Sequence, residues 1–399
     1  MIGDFGFWIS ETHQNLKSKI QNPKSKIMKV LITGGGTGGH VFPAIAIADA
    51  IKRLAPDTQF LFVGANGKME MERVPKAGYA IEGLNIAGFQ RKFSLKNLAF
   101  PYKLLSSLWR ARKIVRNFGP DIVIGTGGYA SGPVMRAAQR LGVPTLIQEQ
   151  NSYAGVTNKL LAQKATAICV AYDHMEHFFP ADKIQFTGNP VRQDILNLKG
   201  KRGEGLKYYG LDPDKKTLVI LGGSLGARTL NRALRDNTQL LADRDNLQVL
   251  WQCGKFYEYE YSSCETSKLP NVHIRAFIDR MDLLYAAADV LISRAGALSI
   301  SELCLIGKPV ILVPSPNVAE DHQTKNALAL VEKGAARLVR DAEAIEKMLP
   351  EAFLVLDNEA LAFSMGESIR QLGRPNAAET IAREALRIAE GPQINKSTN

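Results

Sequence analysis

The sequence predicts an α/β protein of two Rossmann-like, doubly wound domains, each a parallel sheet covered by helices, with the functional site in the cleft between them. Three observations carry this. Short apolar runs alternate with helical patterns along most of the 399 residues, as repeated βα units require. The alternation falls into two series, separated by Gly188-Asn189-Pro190-Val191-Arg192. Three glycine-rich turns each follow a strand candidate and precede a helical pattern.

The first series begins at Met28-Lys29-Val30-Leu31-Ile32-Thr33. Residues 1–27 are polar, show no clear periodicity, and read as a disordered extension or a mis-assigned start. Strand candidates are 28–33, 59–63, 121–125, 143–148, 166–171 and 184–187. The second series is 217–222, 247–252, 271–275, 289–292, 309–313 and 336–339. A polar stretch rich in Lys and Gly, from Lys199 to Asp214, marks the junction. The expected units are therefore 28–190, 191–375 and a C-terminal helix with its tail, 376–399. In that helix Ala378, Ile381, Ala382, Ala385, Leu386 and Ile388 share one stripe.

Composition narrows the function. Hydrophobic residues at 45% and charged residues at 22% exclude global disorder. Fifty Lys and Arg against 39 Asp and Glu give a net charge of +11, which points to an anionic partner: nucleic acid, acidic lipid or a phosphorylated substrate. Cys169, Cys253, Cys264 and Cys304 form no CxxC pair, so neither a zinc cluster nor a disulfide framework is readable. Residues 1–27 carry Asp4 and Glu11 and lack the apolar core of a signal peptide. The uncharged run from Val30 to Ala48 holds a glycine loop and Pro43, so it reads as strand, loop and helix rather than as a membrane span.

The glycine turns are Gly34-Gly35-Gly36-Thr37-Gly38-Gly39-His40, Gly125-Thr126-Gly127-Gly128-Tyr129-Ala130-Ser131-Gly132 and Gly222-Gly223-Ser224-Leu225-Gly226-Ala227-Arg228. Glycine permits close backbone approach, and the helix start that follows offers unpaired N–H groups and a positive dipole end. Three such loops in two domains point to a phosphate-bearing ligand at a cleft. A dinucleotide is disfavoured, because the strand Phe60-Leu61-Phe62-Val63 ends at Gly64-Ala65-Asn66, with no carboxylate for a ribose diol. A fourth signal is Ser293-Arg294-Ala295-Gly296-Ala297-Leu298-Ser299-Ile300-Ser301-Glu302, where small residues open a helix with Glu302 a little over one turn in. No metal is expected. Asp212-Pro213-Asp214 suits a turn, and His174 and His177, beside Asp173 and Glu176, match no ligand pattern.

Taken together, GGGTGGHVFPA at 34–44, GTGGYASGP at 125–133, EQN at 149–151, GNPVR at 188–192, GGSLGAR at 222–228, SRAGALSISE at 293–302 and DHQTKNA at 321–327 resemble the MurG family. These are the glycosyltransferases that move N-acetylglucosamine from UDP-GlcNAc to lipid I in peptidoglycan synthesis. The resemblance runs from about Met28 to about residue 390. It implies the GT-B architecture, with UDP-GlcNAc held mainly by the second domain, no cofactor, and inversion at the sugar carbon. It places Thr37, Gly38 and Gly39 against sugar and acceptor, and Asn151 near the sugar. It assigns Arg192 and Ser224 to the diphosphate, Ile278 to uracil through its backbone, and Ala297, Leu298 and Ser299 to the phosphates through helix N–H groups. It gives Glu302 the ribose hydroxyls, Gln323 the sugar hydroxyls, and His40 the role of base or acceptor-orienting group. Ser299 stands where threonine is common, Thr324 where a second glutamine often follows, and Gln148 where histidine is frequent. Partners implied are UDP-GlcNAc, lipid I, anionic lipids and other cell-wall synthesis proteins, and no nucleic acid. The implied location is the cytoplasmic face of the bacterial plasma membrane. UDP-GlcNAc 2-epimerases and lipid galactosyltransferases are the alternatives of the same fold; the GGTGGH loop and the next segment argue against the epimerase.

That segment is 87–118, with eight Lys and Arg, no Asp or Glu, and six aromatics. Leu104, Leu108, Ala111, Val115 and Phe118 form a helical stripe, with Lys103, Arg110, Lys113 and Arg116 largely off it. Cations for headgroups and aromatics for the interface read as a peripheral membrane surface.

Overall fold

The computed structural model describes residues 27–86, 100–192, 194–223, 225–318 and 321–391, with the side chains of 100–104 outside the description. The extension 1–26, the start of the basic segment at 87–99, and Ser224 thus lie outside it.

Two all-parallel sheets form. The first contains β1 (Lys29–Thr33), β2 (Gln59–Ala65), β3 (Ile81–Leu84), β4 (Ile122–Gly125), β5 (Thr145–Glu149), β6 (Ala167–Val170) and β7 (Ile184–Phe186), in the order β3-β2-β1-β4-β5-β6-β7. The second contains β8 (Lys216–Leu221), β9 (Leu247–Gln252), β10 (Val272–Arg275), β11 (Val290–Ser293), β12 (Val310–Leu312) and β13 (Arg337–Leu338), in the order β10-β9-β8-β11-β12-β13. Each expected strand is present, β9 with the expected bounds and the others with ends displaced by one or two residues. The unexpected one is β3, an edge strand of sequence IEGL. A glutamate and a glycine in four residues erase its apolar signal, and an edge position tolerates both.

Side-chain alternation gives each sheet two cores. Leu31, Val123, Ile147 and Ile168 face one way, toward Ala111, Val115, Val134 and Ala138. Val30, Ile32, Ile122, Ile124 and Leu146 face the other, toward Ile47 and Ile51 of the helix Gly38–Leu54. Ile381, Ala382, Ala385 and Ile388 of the helix Ala377–Glu390 join this second core. The chain's last helix therefore returns to the first domain and covers its sheet, although it follows the second domain in sequence. Its apolar stripe told that it would be buried, not where.

The polar junction is also more ordered than its composition suggests. Arg202–Tyr209 is a helix, and it lies so close to the helix Met281–Ala287 that a Cβ on Gly205 would fall 2.4 Å from the Leu283 carbonyl oxygen. Lys201 and Arg280 converge on the buried Asp282. The Lys and Gly content that resembled a linker thus serves a tight helix crossing with charged ends.

Both sheets reverse strand order once, between β1 and β4 and between β8 and β11. Ligands of open α/β sheets bind outside the carboxyl ends of strands at such switch points. The first two glycine turns follow β1 and β4, the third follows β8, and the Ser293–Glu302 signal follows β11. The four segments singled out in the sequence thus flank the two switch points.

Candidate active site

The first-domain half is stitched from the turns after β1 and β4. Thr126 Oγ donates to the His40 carbonyl at 2.8 Å, and the Gly35 N–H reaches the Gly127 carbonyl at 3.4 Å. Only glycine serves at 128: its φ is +82°, and a Cβ there would lie 2.2 Å from the Gly35 carbonyl oxygen. Beneath the first turn sits Glu70, fully buried, accepting from the Gly36 N–H at 3.0 Å and the Ala65 N–H at 2.9 Å. This corrects the simple expectation of an anion cradle at 34–40. One of its N–H groups is already held by a carboxylate, so the turn is a braced wall rather than an open set of donors. Thr37, exposed, caps the helix Gly38–Leu54 through its carbonyl, which accepts from His40 N–H at 3.1 Å and Val41 N–H at 3.2 Å. Gly38 and Gly39 are the first two residues of that helix.

His40 follows them, partly buried. Its Nδ1 lies 2.9 Å from the Thr126 carbonyl oxygen and 3.1 Å from Gln150 Oε1. Burial lowers its pKa below the ordinary histidine range, against an opposing pull from Glu149 and the two hydrogen bonds. His322, on the second domain, is near enough that its charge also lowers it. The neutral imidazole is therefore the dominant form at pH 7, as a base requires.

Asn151 is held by Glu149, a carboxylate 1% exposed at the end of β5. Glu149 accepts from Asn151 N–H (3.1 Å), Asn151 Nδ2 (3.3 Å), Gly155 N–H (3.0 Å) and Asn158 Nδ2 (2.8 Å). Across the cleft Asn326 Nδ2 donates to Asn151 Oδ1 at 3.3 Å. Asn326 Oδ1 accepts from the N–H and Oγ of Ser152 at 3.0 and 2.9 Å.

In the second domain the helix Ala297–Ile306 starts at the switch point. Gly296 is its N-cap, no side chain caps it, and its first turn has no acidic residue. The N–H groups of Ala297, Leu298 and Ser299 are those a helix leaves without intrahelical partners. Glu302, in the second turn of that helix, accepts from Arg192 Nε at 3.0 Å and from the Tyr285 hydroxyl at 2.8 Å. Burial raises the Glu302 pKa above the ordinary glutamate value, opposed by Arg192 and Tyr285. The structure thus brings Arg192 and Glu302, expected at diphosphate and ribose, into direct contact with each other. Ile278 follows β10 with its side chain in the core, which leaves main chain as its means of contact. Gln323 lies one residue into the helix His322–Val331, where its Oε1 accepts from the Ser315 N–H at 2.8 Å. Asp212 Oδ1 accepts from the Asp214 N–H at 2.9 Å, closing the turn expected there.

The sequence reading assigned no role to Glu70, Glu149, Gln150, Tyr285 or Asn326. Glu149 and Gln150 stood inside the EQN segment, and Asn326 inside DHQTKNA. A carboxylate ending a buried strand is the signal that marks Glu149, since a buried charge needs donors arranged around it.

Two domains with facing switch points, one presenting a pinned imidazole and the other an uncapped helix start beside a buried glutamate, define a group-transferring enzyme of the GT-B class. The chain matches the glycosyltransferase family 28 N-terminal domain over residues 30–170 and the C-terminal domain over 217–381, and it belongs to that family. Within it the chain is of the MurG type. It is 57% identical, over 91% of its length and 96% of the relative's, to the UDP-N-acetylglucosamine–N-acetylmuramyl-(pentapeptide) pyrophosphoryl-undecaprenol N-acetylglucosamine transferase of Bacteroides fragilis. The crystal structure of Acinetobacter baumannii MurG superposes with a TM-score of 0.73 at 31% identity, covering 90% of this chain and 99% of that one. The UDP-GlcNAc 2-epimerase of Neisseria meningitidis, at 15% identity and a TM-score of 0.64 over 90% of this chain and all of that one, shares the fold alone.

Proposed function

We infer that the protein transfers N-acetylglucosamine from UDP-GlcNAc to the 4-hydroxyl of the muramoyl sugar of lipid I, with inversion, giving lipid II. What supports this in the chain itself is His40 on the first domain, close enough to His322 of the second domain to feel its charge, together with the uncapped helix start at Ala297 on the second domain. The acceptor oxygen attacks the anomeric carbon as its proton passes to His40 Nε2. The carbon–oxygen bond to the β-phosphate breaks, and UDP leaves with the electron pair. Charge growing on that phosphate meets the N–H groups of Ala297, Leu298 and Ser299 and the positive end of their helix, worth about half an elementary charge. Arg192 exchanges its Glu302 contact for the diphosphate, releasing Glu302 to the ribose hydroxyls. Ser224 joins Arg192 there, the Ile278 main chain meets uracil, and Asn151 and Gln323 hold the sugar, with Thr37, Gly38 and Gly39 lining the acceptor side.

The acceptor is anchored in a bilayer, and no described helix is long and apolar enough to cross one. In this reading the protein meets its acceptor at the cytoplasmic membrane surface. Supporting this, the helix Phe100–Phe118 buries Ser107, Ala111, Ile114 and Val115 and exposes Leu105, Trp109, Arg110, Arg112, Lys113 and Arg116. Incubating the enzyme with labelled UDP-GlcNAc and a lipid I analogue tests the reading. A β-linked disaccharide lipid is expected; release of UDP-ManNAc without transfer overturns it in favour of an epimerase.

A further inference from the structure

The geometry points to Gln150 as the positioning residue of the reaction's base. Its side-chain oxygen, with the Thr126 carbonyl, holds the His40 ring so that Nδ1 keeps its proton and Nε2 presents a lone pair. This rests on the reading of His40 as the base and extends it by naming what orients that base.

The orientation of the Gln150 amide is over-determined. Its nitrogen lies 2.7 Å from the Thr126 carbonyl oxygen and 3.1 Å from the Gln148 carbonyl oxygen, and also contacts Gln148 Oε1. All three are acceptors, which an NH₂ group can meet and an amide oxygen cannot, so Oε1 is the atom facing His40 Nδ1 at 3.1 Å. Nδ1 thus meets two acceptors, Gln150 Oε1 and Thr126 O. Neither can donate, so Nδ1 carries the hydrogen and Nε2, across the ring, is the basic nitrogen. Gln150 itself cannot swing away. It is 1% exposed, and Asn189 Nδ2 donates to its main-chain carbonyl at 3.0 Å. The same Asn189 Nδ2 reaches Ser301 Oγ of the second domain at 3.0 Å, and Gln148 Nε2 donates to Asn189 Oδ1 at 2.9 Å. A buried amide chain therefore runs from the domain junction to the imidazole. Catalytic histidines elsewhere use a carboxylate behind the ring. Here the partner is neutral, and the nearby charges are Glu149 at the end of β5 and His322 on the opposing helix.

The test uses the full-length enzyme, UDP-GlcNAc and a lipid I analogue. Gln150→Met keeps the volume and removes the acceptor. We expect kcat to fall by about 10- to 100-fold, the range for partners that orient a reacting group, with the KM for UDP-GlcNAc unchanged. The Gln150 hydrogen bond favours the protonated ring, so its loss moves the acidic limb of the kcat profile to lower pH. A merely structural role would reduce active enzyme without moving the limb. Wild-type kcat with an unmoved limb overturns the proposal. So does ¹⁵N NMR of the native enzyme showing the hydrogen on Nε2 of His40, which decides the matter even if the variant does not fold. A parallel His40→Gln enzyme separates the two readings. If it retains most of its kcat, His40 is not the base; if it loses more than about 100-fold while Gln150→Met is normal, only the role of Gln150 is lost.

Discussion

At the scale of single residues, the site is a set of buried polar groups whose partners determine their chemistry. Glu302 is the clearest. Two donors hold its carboxylate, and burial alone would favour the neutral acid. On the proposed ribose contact, replacing it with alanine should cost about 1.5–3 kcal/mol, or roughly 10- to 150-fold in the Kd for UDP. Titration calorimetry measures this directly, and unchanged UDP affinity in Glu302→Ala would remove the residue from the donor site. Glu302 was singled out by the family resemblance of the SRAGALSISE segment; its spacing alone fitted a surface or capping glutamate better. Tyr285 and Arg192 as its partners were not, because they come from 17 residues upstream and from the domain junction 110 residues away.

At the scale of elements, the helix Phe100–Phe118 divides into two faces. Trp109 and Leu105 are 70% and 67% exposed, with Lys113 Nζ 5.8 Å from the Trp109 ring centroid. An exposed aromatic and aliphatic pair rimmed by cations fits a headgroup layer, where each cation near an anionic surface contributes about 1 kcal/mol. Reversing Arg112, Lys113 and Arg116 to glutamate should release the protein from anionic vesicles in a sedimentation assay. Turnover on vesicle-borne acceptor should fall, while turnover on a short-chain soluble analogue is spared. Equal losses on both acceptors would mean that the helix shapes the fold instead. Periodicity found Ala111 and Val115 of this helix's buried face, with Leu108 and Phe118 half-buried, but missed Ser107 and Ile114 beside them. The edge strand β3 and the helix Arg202–Tyr209 were not, since neither needs an apolar run to form where it does.

At the scale of the whole molecule, ties between the domains among the described residues include Ser152 with Asn326, Asn189 with Ser301, and Asp173 with Lys333 at 3.6 Å, while Tyr172 packs against the cores of both. Lys325 Nζ adds a contact 3.4 Å from the Tyr153 ring centroid. Asn326 has the largest share, with both ends of its amide spent across the cleft. Asn326→Ala should therefore lower kcat/KM for UDP-GlcNAc by about tenfold, the equivalent of one net hydrogen bond of roughly 1.4 kcal/mol. UDP binding, assigned in the proposed function to the second domain, should hardly change. Steady-state kinetics beside UDP calorimetry makes the comparison; a wild-type kcat/KM in this variant would show that the tie is not needed for catalysis.

The sequence by itself determined the two sheets, their parallel sense and the four loops at their switch points. Apolar runs and glycine turns are local consequences of burial and backbone sterics, so they can be read residue by residue. It also placed His40, Ala297 and Glu302 on those segments, and Asn151 just after β5. Only the tertiary structure decided that the last helix crosses back to cover the first sheet, that Glu70 and Glu149 lie beneath the loops as buried acceptors, and that Gln150 reaches His40. These depend on which distant segments share a low-dielectric interior, where each polar group must find a partner whatever its separation along the chain.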